Sequence, residues 1–224
     1  MLQKLKHIVL ILFLFSGVIS NQACFGQLVI SNQGGSAQDI VNAMIGFGLN
    51  TSNATISCPS NAYGTFTNGA STDLGIPTGL VLTTGDVNDL NAPGSSFMST
   101  DNWSSCNDPQ LTSLEPLATN DCCILEFDVI PTCNQLQIRF VFGSEEYPEW
   151  VSAGFNDAFG FFISGPGISG PYSSPSGFPN GSINIANVPN SIPPLPITIS
   201  SVNNLLNSQY YIDNQSTFPQ TISC

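Results

Sequence analysis

The alternation of apolar and polar residues along the chain predicts an all-β protein. Gly, Pro, Asn and Ser residues interrupt the sequence roughly every 8–12 residues, which leaves room for short strands only. Such spacing is typical of β-sandwiches and jelly rolls. No linker, strong charge shift or short-period repeat divides the chain. We therefore expect one β-sandwich or jelly-roll-like domain.

One helical pattern interrupts the strands near the N-terminus. Ser36 can cap a helix, Asp39 stands in its first turn, and Gly46 and Gly48 can end it. Between these signals lies an apolar stripe, formed by Ile40, Val41, Met44 and Ile45. The pattern predicts one short N-terminal helix that covers an end or a side of the sandwich.

The clearest strand patterns are residues 124–130 and 135–142, with four residues between them. If these four residues form a hairpin loop, one face of the strand pair is wholly apolar. Its pairs are Leu125 with Phe140, Phe127 with Ile138, and Val129 with Leu136. On the opposite face Glu126 meets Arg139. We therefore interpret Arg139 as a cross-strand partner of Glu126 rather than as a ligand-binding residue.

Residues 1–27 have the layout of a secretory signal peptide. Two lysines precede an apolar run over residues 8–19, and small and polar residues follow up to Gln27. The run is too short, and wrongly flanked, for a spanning helix. We expect an exported protein whose mature chain, residues 28–224, contains no membrane span. Lipidation at Cys24 is the alternative, although Asn21 stands where an aliphatic residue is expected.

The charge of the predicted mature chain excludes several classes of function. Arg139 is its one basic residue against 15 acidic residues, a net charge of −14, and no histidine or lysine remains. Such a chain repels nucleic acids and anionic membrane surfaces, and it attracts cations. Without His or Lys it cannot form a Ser-His-Asp triad, a Cys-His pair, a Schiff base or a histidine-ligated zinc site.

Six cysteines remain after the predicted leader, and an even number in an exported chain predicts disulfides. Fifteen pairings are open, and the sequence does not choose among them. Cys224, the last residue, ends an apolar run, so we expect the chain to continue beyond it. The six are Cys58, Cys106, Cys122, Cys123, Cys133 and Cys224.

Carboxylates are concentrated in the segment FGSEEYPEWVSAGFND, which lies between two predicted strands. Calcium prefers six to eight oxygen ligands at about 2.3–2.6 Å, and it is plentiful outside cells. We predict a Ca²⁺ site formed by Glu145, Glu146, Asn156 and Asp157. Consecutive strand residues point to opposite faces, so the two glutamates can share an ion only if Gly143 or Ser144 breaks the pleat. Asp86 and Asp108 are candidate ligands from other loops.

Three other interpretations of this segment remain open. Two of its carboxylates could act as acid and base on a glycosidic bond, at about 5–5.5 Å for retention or 6.5–9.5 Å for inversion. Alternatively, Tyr147 and Trp150 could form a platform for sugar stacking without any chemistry. In the third interpretation the segment has no functional site and is a solvated acidic loop, with Asp157 capping a turn.

Several phrases of the sequence resemble the choice-of-anchor L domain family. They are GLVLTTGDV, LEFDVIP, IRFVFGSEEYPEW, FNDAFGFFISGPG, NIANVP and NSQYYIDN, with a weaker match in NDPQLTSL. The resemblance covers about residues 27–224. It implies a bacterial exported or cell-surface protein of a kind abundant in Bacteroidota. Members typically continue into a second half and an anchoring module, which this chain lacks, so the resemblance implies a C-terminally incomplete chain.

Together these features predict a non-catalytic, calcium-stabilised display or adhesion module at the bacterial surface. An extracellular polysaccharide or another cell-surface component is the expected partner. The alternative is a catalytic or accessory domain of a secreted carbohydrate-degrading enzyme that uses Glu145, Glu146 and Asp157.

Overall fold

The computed structural model describes residues 27–46, 48–72, 74–91, 104–132 and 134–213. Within these ranges the regular elements are mostly short strands in small antiparallel sheets. The strands are β1 Val29–Ser31, β2 Leu49–Ser57, β3 Tyr63–Thr67, β4 Gly79–Leu82, β5 Ile124–Pro131, β6 Ala158–Phe159, β7 Phe162–Ile163, β8 Ile183–Asn184 and β9 Ile197–Thr198. The helices are α1 Ala37–Met44 and α2 Pro109–Leu114, with 3₁₀ turns at Gly69–Ser71, Val87–Asn91 and Ser208–Tyr210. The all-β class is confirmed, whereas packing of the sheets as a sandwich stays a prediction.

The predicted N-terminal helix is confirmed as α1. The Ser36 side chain accepts a hydrogen bond from the backbone N–H of Asp39, which satisfies one of the unpaired donors at the helix start. Ile40 and Val41 are fully buried. They face a three-stranded antiparallel sheet of order β1-β3-β4 and the neighbouring strand β2. The apolar stripe thus holds the helix against the N-terminal sheets.

Strands β2 and β5 form the longest ladder of the described chain. Their antiparallel register runs from Leu49 opposite Pro131 to Ser57 opposite Ile124. A bulge interrupts it after Ser52, where Asn53 adopts a left-handed backbone conformation with φ of 54°. Asparagine tolerates this conformation better than most residues, and its side-chain amide donates a 2.7 Å hydrogen bond to Asp128.

Two disulfides link residues in this region. They confirm the prediction that the chain contains disulfides. Cys58 bonds Cys123 immediately beyond the last residue pair of the β2–β5 ladder. Cys106 bonds Cys122, and the flanking residues Ser105 and Asn120 form a β-bridge. Since each bond closes a loop in the unfolded chain, both favour the folded state.

The predicted hairpin of residues 124–130 with 135–142 is wrong. Residues 135–143 form no strand, and Glu126 stands opposite Thr55 of β2 instead of Arg139. Phe140 packs on Phe159, with ring centroids 5.0 Å apart, and so lies against β6. Alternation specifies which side chains share a face but not which strand pairs with them. Here β5 pairs with a strand some 70 residues earlier in the chain.

The C-terminal half is built from two-stranded ribbons around a small core. Strand β6 pairs with β9, and β7 pairs with β8. The alternating residues Phe159, Phe161 and Ile163 favour one continuous strand, but the structure splits it into β6 and β7, and between them Phe161 donates its backbone N–H to the side chain of Asn184. Val188, Ile197 and Val202 form the core cluster, against which Phe142 and Tyr211 pack.

A second helix, α2, was not predicted. The Asp108 carboxylate accepts a 2.7 Å hydrogen bond from the Leu111 N–H, and Pro109 occupies the first turn. An Asp cap followed by Pro is a helix-start signal. The helix is only six residues long, and too short to show an amphipathic repeat.

Several predictions fall outside the described residues. They concern residues 1–26 of the signal peptide with Cys24, and also Cys133 and Cys224. The division into residues 1–27 and 28–224 stays a prediction. Among the described helices, none has the length and apolar character needed to cross a bilayer.

Replacement of the helix anchor Ile40 by alanine should destabilise the protein by about 2–5 kcal/mol, because the side chain is fully buried and leaves a cavity. Ile192→Ala is the matched control, since Ile192 is 96% exposed. It should change the free energy of unfolding by less than about 0.5 kcal/mol. Urea denaturation measures both, and equal losses would contradict the placement of α1.

Candidate metal and ligand site

The acidic segment forms a series of turns that leads into β6. Trp150 donates its backbone N–H to the Glu146 carbonyl at 2.9 Å, and Ala153 donates to the Trp150 carbonyl at 2.9 Å. Ser144, at the start of the turns, is buried. Its hydroxyl accepts a 3.0 Å hydrogen bond from the Glu146 N–H. The pleat is therefore broken directly after Ser144, as a shared site for Glu145 and Glu146 requires.

Tyr147 fastens these turns to the C-terminal core. Its side chain is 2% exposed, and its hydroxyl donates a 2.5 Å hydrogen bond to the Val202 carbonyl. Its ring also packs on Tyr211 at a centroid distance of 5.0 Å. A ring buried in this way has no face to offer a sugar. The structure thus removes Tyr147 from the predicted stacking platform and makes it an anchor.

Asp157 is brought to the same turns by strand pairing. Its carbonyl accepts a hydrogen bond from the Ile199 N–H, next to the β6–β9 ladder. Its carboxylate accepts a 2.5 Å hydrogen bond from the Ser144 hydroxyl. Because the same hydroxyl accepts from the Glu146 backbone, Ser144 connects Glu146 to Asp157.

A fourth carboxylate, Asp89, reaches the cluster from the N-terminal half. It lies in the 3₁₀ turn Val87–Asn91, where Val87 is fully buried and its N–H donates to the Asn61 carbonyl at 2.9 Å. The negative charge of Asp89 raises the pKa of Glu145. No local sequence pattern marks this contact, since 56 residues separate the two acids.

Glu145 carries the largest electrostatic perturbation of the cluster. Its partial burial, followed by the charges of Asp89, Asp157 and Glu146, raises the pKa of Glu145 to about 7. Burial and then the charge of Asp157 raise the pKa of Glu146. Burial also raises the pKa of Asp157, and the Ser144 hydrogen bond opposes that shift. Glu145 is thus held where burial and three other carboxylates disfavour its ionised form.

We name Asp89, Glu145, Glu146 and Asp157 the acidic cluster. Asp89, Glu146 and Asp157 are close enough to Glu145 for their charges to raise its pKa. Within the described ranges, however, no three His, Cys, Asp or Glu side chains converge on a point that could hold a metal ion. Carboxylate oxygens are the ligands that Ca²⁺ prefers, so the chemistry of the cluster fits calcium once its side chains converge.

The other predicted ligands make structural hydrogen bonds. Asn156 donates its amide to the Glu115 carboxylate, and its oxygen accepts from the Ser200 N–H at 3.1 Å. Asp108 is the N-cap of α2. Asp86 closes a turn by accepting hydrogen bonds from the backbone and side chain of Asn88. Burial raises the pKa of Asp86, but these hydrogen bonds and one from Asn61 lower it overall.

Trp150, the other residue of the predicted stacking platform, packs on a different aromatic ring from Tyr147. It makes an edge-to-face contact with Phe155, with centroids 5.2 Å apart and planes at 77°. Phe155 is 54% exposed and Trp150 is partly exposed. An aromatic surface therefore exists at the end of the acidic turns, made by Trp150 and Phe155 instead of Tyr147.

Comparison with known families agrees with the sequence resemblance. The profile of the choice-of-anchor L domain matches residues 29–223. The chain belongs to the choice-of-anchor L domain family. Neither a curated protein nor a solved structure matches it.

Membership in the choice-of-anchor L family indicates an exported or cell-surface protein. It also favours a non-catalytic module, because the family is not a known enzyme family. The chemistry of this particular choice-of-anchor L domain therefore has to be argued from its own acidic cluster and aromatic surface.

The raised pKa of Glu145 predicts that the calcium-free domain loses stability as the pH rises from about 4.5 to about 7. In that window the carboxyl ionises in the unfolded chain but stays protonated in the folded one, so ionisation favours unfolding. After allowance for solvent screening, the loss should be on the order of 1 kcal/mol. Urea denaturation of the wild type and of Glu145→Gln in EDTA, at pH 4.5 and 8, measures it.

The glutamine variant should show a smaller loss than the wild type over this range, while Glu149→Gln, at an exposed position of the same turns, should behave like the wild type. Identical pH dependence in the wild type and in Glu145→Gln would contradict the electrostatic description of the cluster.

Proposed function

We propose that this choice-of-anchor L domain is a calcium-stabilised display or adhesion module of an exported bacterial protein. The observation that carries the proposal is Glu145, which is half-buried beside Asp89, Glu146 and Asp157. A carboxylate held beside three others lowers the stability of a fold when it ionises, unless a cation offsets the charge.

The composition of the chain supports a cation from outside. Arg139 is the one basic residue beyond position 6, apart from His7 near the N-terminus, and its side chain is exposed. Glu145 therefore has three carboxylates and no lysine or histidine from residues 27–213 around it. An exported protein meets calcium at concentrations that suit sites of about 10⁻⁴–10⁻³ M affinity.

The architecture of the turns supports a site that closes around the ion. Tyr147 holds the middle of the turns on the core, whereas Glu145 and Glu146 stand on the preceding turn. Convergence of their side chains on Asp157 requires rotamer changes around an anchored backbone. Backbone carbonyls of the turns can supply further oxygen ligands.

Calcium should raise the melting temperature of the domain at pH 7.5. At about 100 times the dissociation constant, binding adds about 2.7 kcal/mol, which corresponds to roughly 5–10 °C for a domain of this size. Isothermal titration calorimetry and thermal denaturation, with and without Ca²⁺, measure binding and stabilisation. Glu145→Gln and Asp157→Asn should each weaken binding at least about tenfold.

Glu149→Gln is the matched control, because it removes the same charge from an exposed position of the same turns. It should bind Ca²⁺ within about twofold of the wild type. Absence of both heat and a melting shift in the wild type would overturn the calcium proposal.

The aromatic surface supports a neutral polysaccharide as the ligand of the module. Sugar rings stack on exposed aromatic faces, and Trp150 and Phe155 present such faces at the end of the turns. Anionic polysaccharides are disfavoured by the 15 acidic residues of the chain. The expected partner is therefore an uncharged glycan or glycosylated component of a cell surface.

Replacement of Phe155 by alanine should reduce binding to neutral glycans on an array at least about fivefold, because one stacking surface is lost. Leu205→Ala is the control, since Leu205 is an 85% exposed apolar residue elsewhere on the surface. Equal binding by Phe155→Ala and the wild type would contradict this surface as the site.

The alternative, a carbohydrate-degrading enzyme, uses the same carboxylates, and a raised pKa like that of Glu145 is also what a general acid needs. The two functions differ in their products. Bound glycans should be recovered intact from the module, whereas release of reducing ends that is lost in Glu145→Gln would favour the enzyme.

A further inference from the structure

Two stretches of this chain have backbone that no other described strand covers. Strand β5 is eight residues long and pairs with β2 on one edge only, as far as the described strands extend. The backbone of residues 136–142 makes no hydrogen bond to any described residue. An uncovered strand edge is a ready site for pairing with a further strand.

The two stretches match each other in side chains. An antiparallel register puts Leu125, Phe127 and Val129 opposite Phe140, Ile138 and Leu136 on one face. On the other face Glu126 lies opposite Arg139, and both side chains are exposed. Arg139 is the only basic residue among the described ones. The pair of Glu126 with Arg139 is therefore the only pair of opposite charges that the two stretches can form in this register.

Within one molecule these stretches are held by different elements. Phe140 packs on Phe159 of β6, and Phe142 packs on the core cluster of Val188, Ile197 and Val202. Strand β5 is held by β2 and by the disulfide that closes their ladder. Residues 136–142 and β5 therefore do not pair as strands within one chain. Leu136 and Val141 are 36% and 38% exposed.

We propose that two copies of this chain pair, with residues 136–142 of each copy adding to the free edge of β5 in the other. A twofold axis makes this contact twice and covers both exposed backbones in each copy. This dimer is favoured over an alternative dimer in which the β5 edges of the two copies pair with each other. Two β5 strands paired antiparallel about Phe127 would place Glu126 opposite Asp128, and like charges in that position repel.

The test is the concentration dependence of the mass of residues 28–224, measured by sedimentation equilibrium for the wild type and for charge variants. Arg139→Glu should weaken the dimer about tenfold or more, because each copy contributes one reversed pair. Glu126→Arg should also weaken it. The double variant, in which the two charges are exchanged, should restore dimerisation to within about threefold of the wild type.

Glu149→Arg is the charge control for Glu126→Arg, because both substitutions change the charge by +2, and it should not weaken the dimer. Each variant should first show a wild-type melting temperature to within a few degrees, as expected for exposed positions. Hydrogen exchange then gives a second readout. Amides of residues 136–142 should become protected as the protein concentration rises.

The remaining outcomes overturn the proposal. A monomer at all concentrations excludes the dimer, and protection of residues 136–142 that is independent of concentration assigns them to a hairpin within one chain. A dimer insensitive to both charge reversals uses another surface.

Discussion

The hydroxyl of Tyr147, bonded to the Val202 carbonyl inside the C-terminal core, determines how the acidic turns are placed. Its ring packs on Tyr211, so a single buried side chain ties the turns to a chain segment more than 50 residues away. With the turns fixed, the partly buried Glu145 and Glu146 stand close enough to Asp157 for its charge to raise both pKa values, and Asp89 adds to the shift of Glu145.

The negative charge of the acidic cluster acts against this placement of the turns. Burial and mutual repulsion raise the pKa of Glu145, and the chain has almost no basic residues with which to offset them. A fold that keeps such an arrangement stores unfavourable electrostatic energy at one place. The family match independently indicates an exported or cell-surface protein, which is the setting in which divalent cations are abundant. These two observations are the reasons for proposing the acidic cluster as the calcium site.

The contrast between α1 and β5 shows that local sequence patterns predict single elements but not which strands pair. For α1, the cap, the stripe and the end signals all lie close together in the chain, and the structure has the Ser36 cap and the buried Ile40 and Val41, although the helix already ends at Met44 and Ile45 is its extended C-cap. For β5, the strand itself was predictable from alternation, but its partner was not. Residues 135–142 offered an equally apolar face only four residues away, yet β2 holds the ladder, closed by the Cys58–Cys123 bond. Pairing between distant strands depends on the global path of the chain, which alternation does not encode.

The sequence by itself determined the all-β class, the N-terminal helix and the presence of disulfides, though not which cysteines pair, because each depends on residue type and spacing. Its phrases also carried the family resemblance. Only the tertiary structure decided that Tyr147 is an anchor, that Asp89 joins the acidic cluster and that Phe155 is the neighbour of Trp150. The reason is physical: burial and charge coupling arise between residues far apart in the chain, and their strength depends on distances that only the folded arrangement defines.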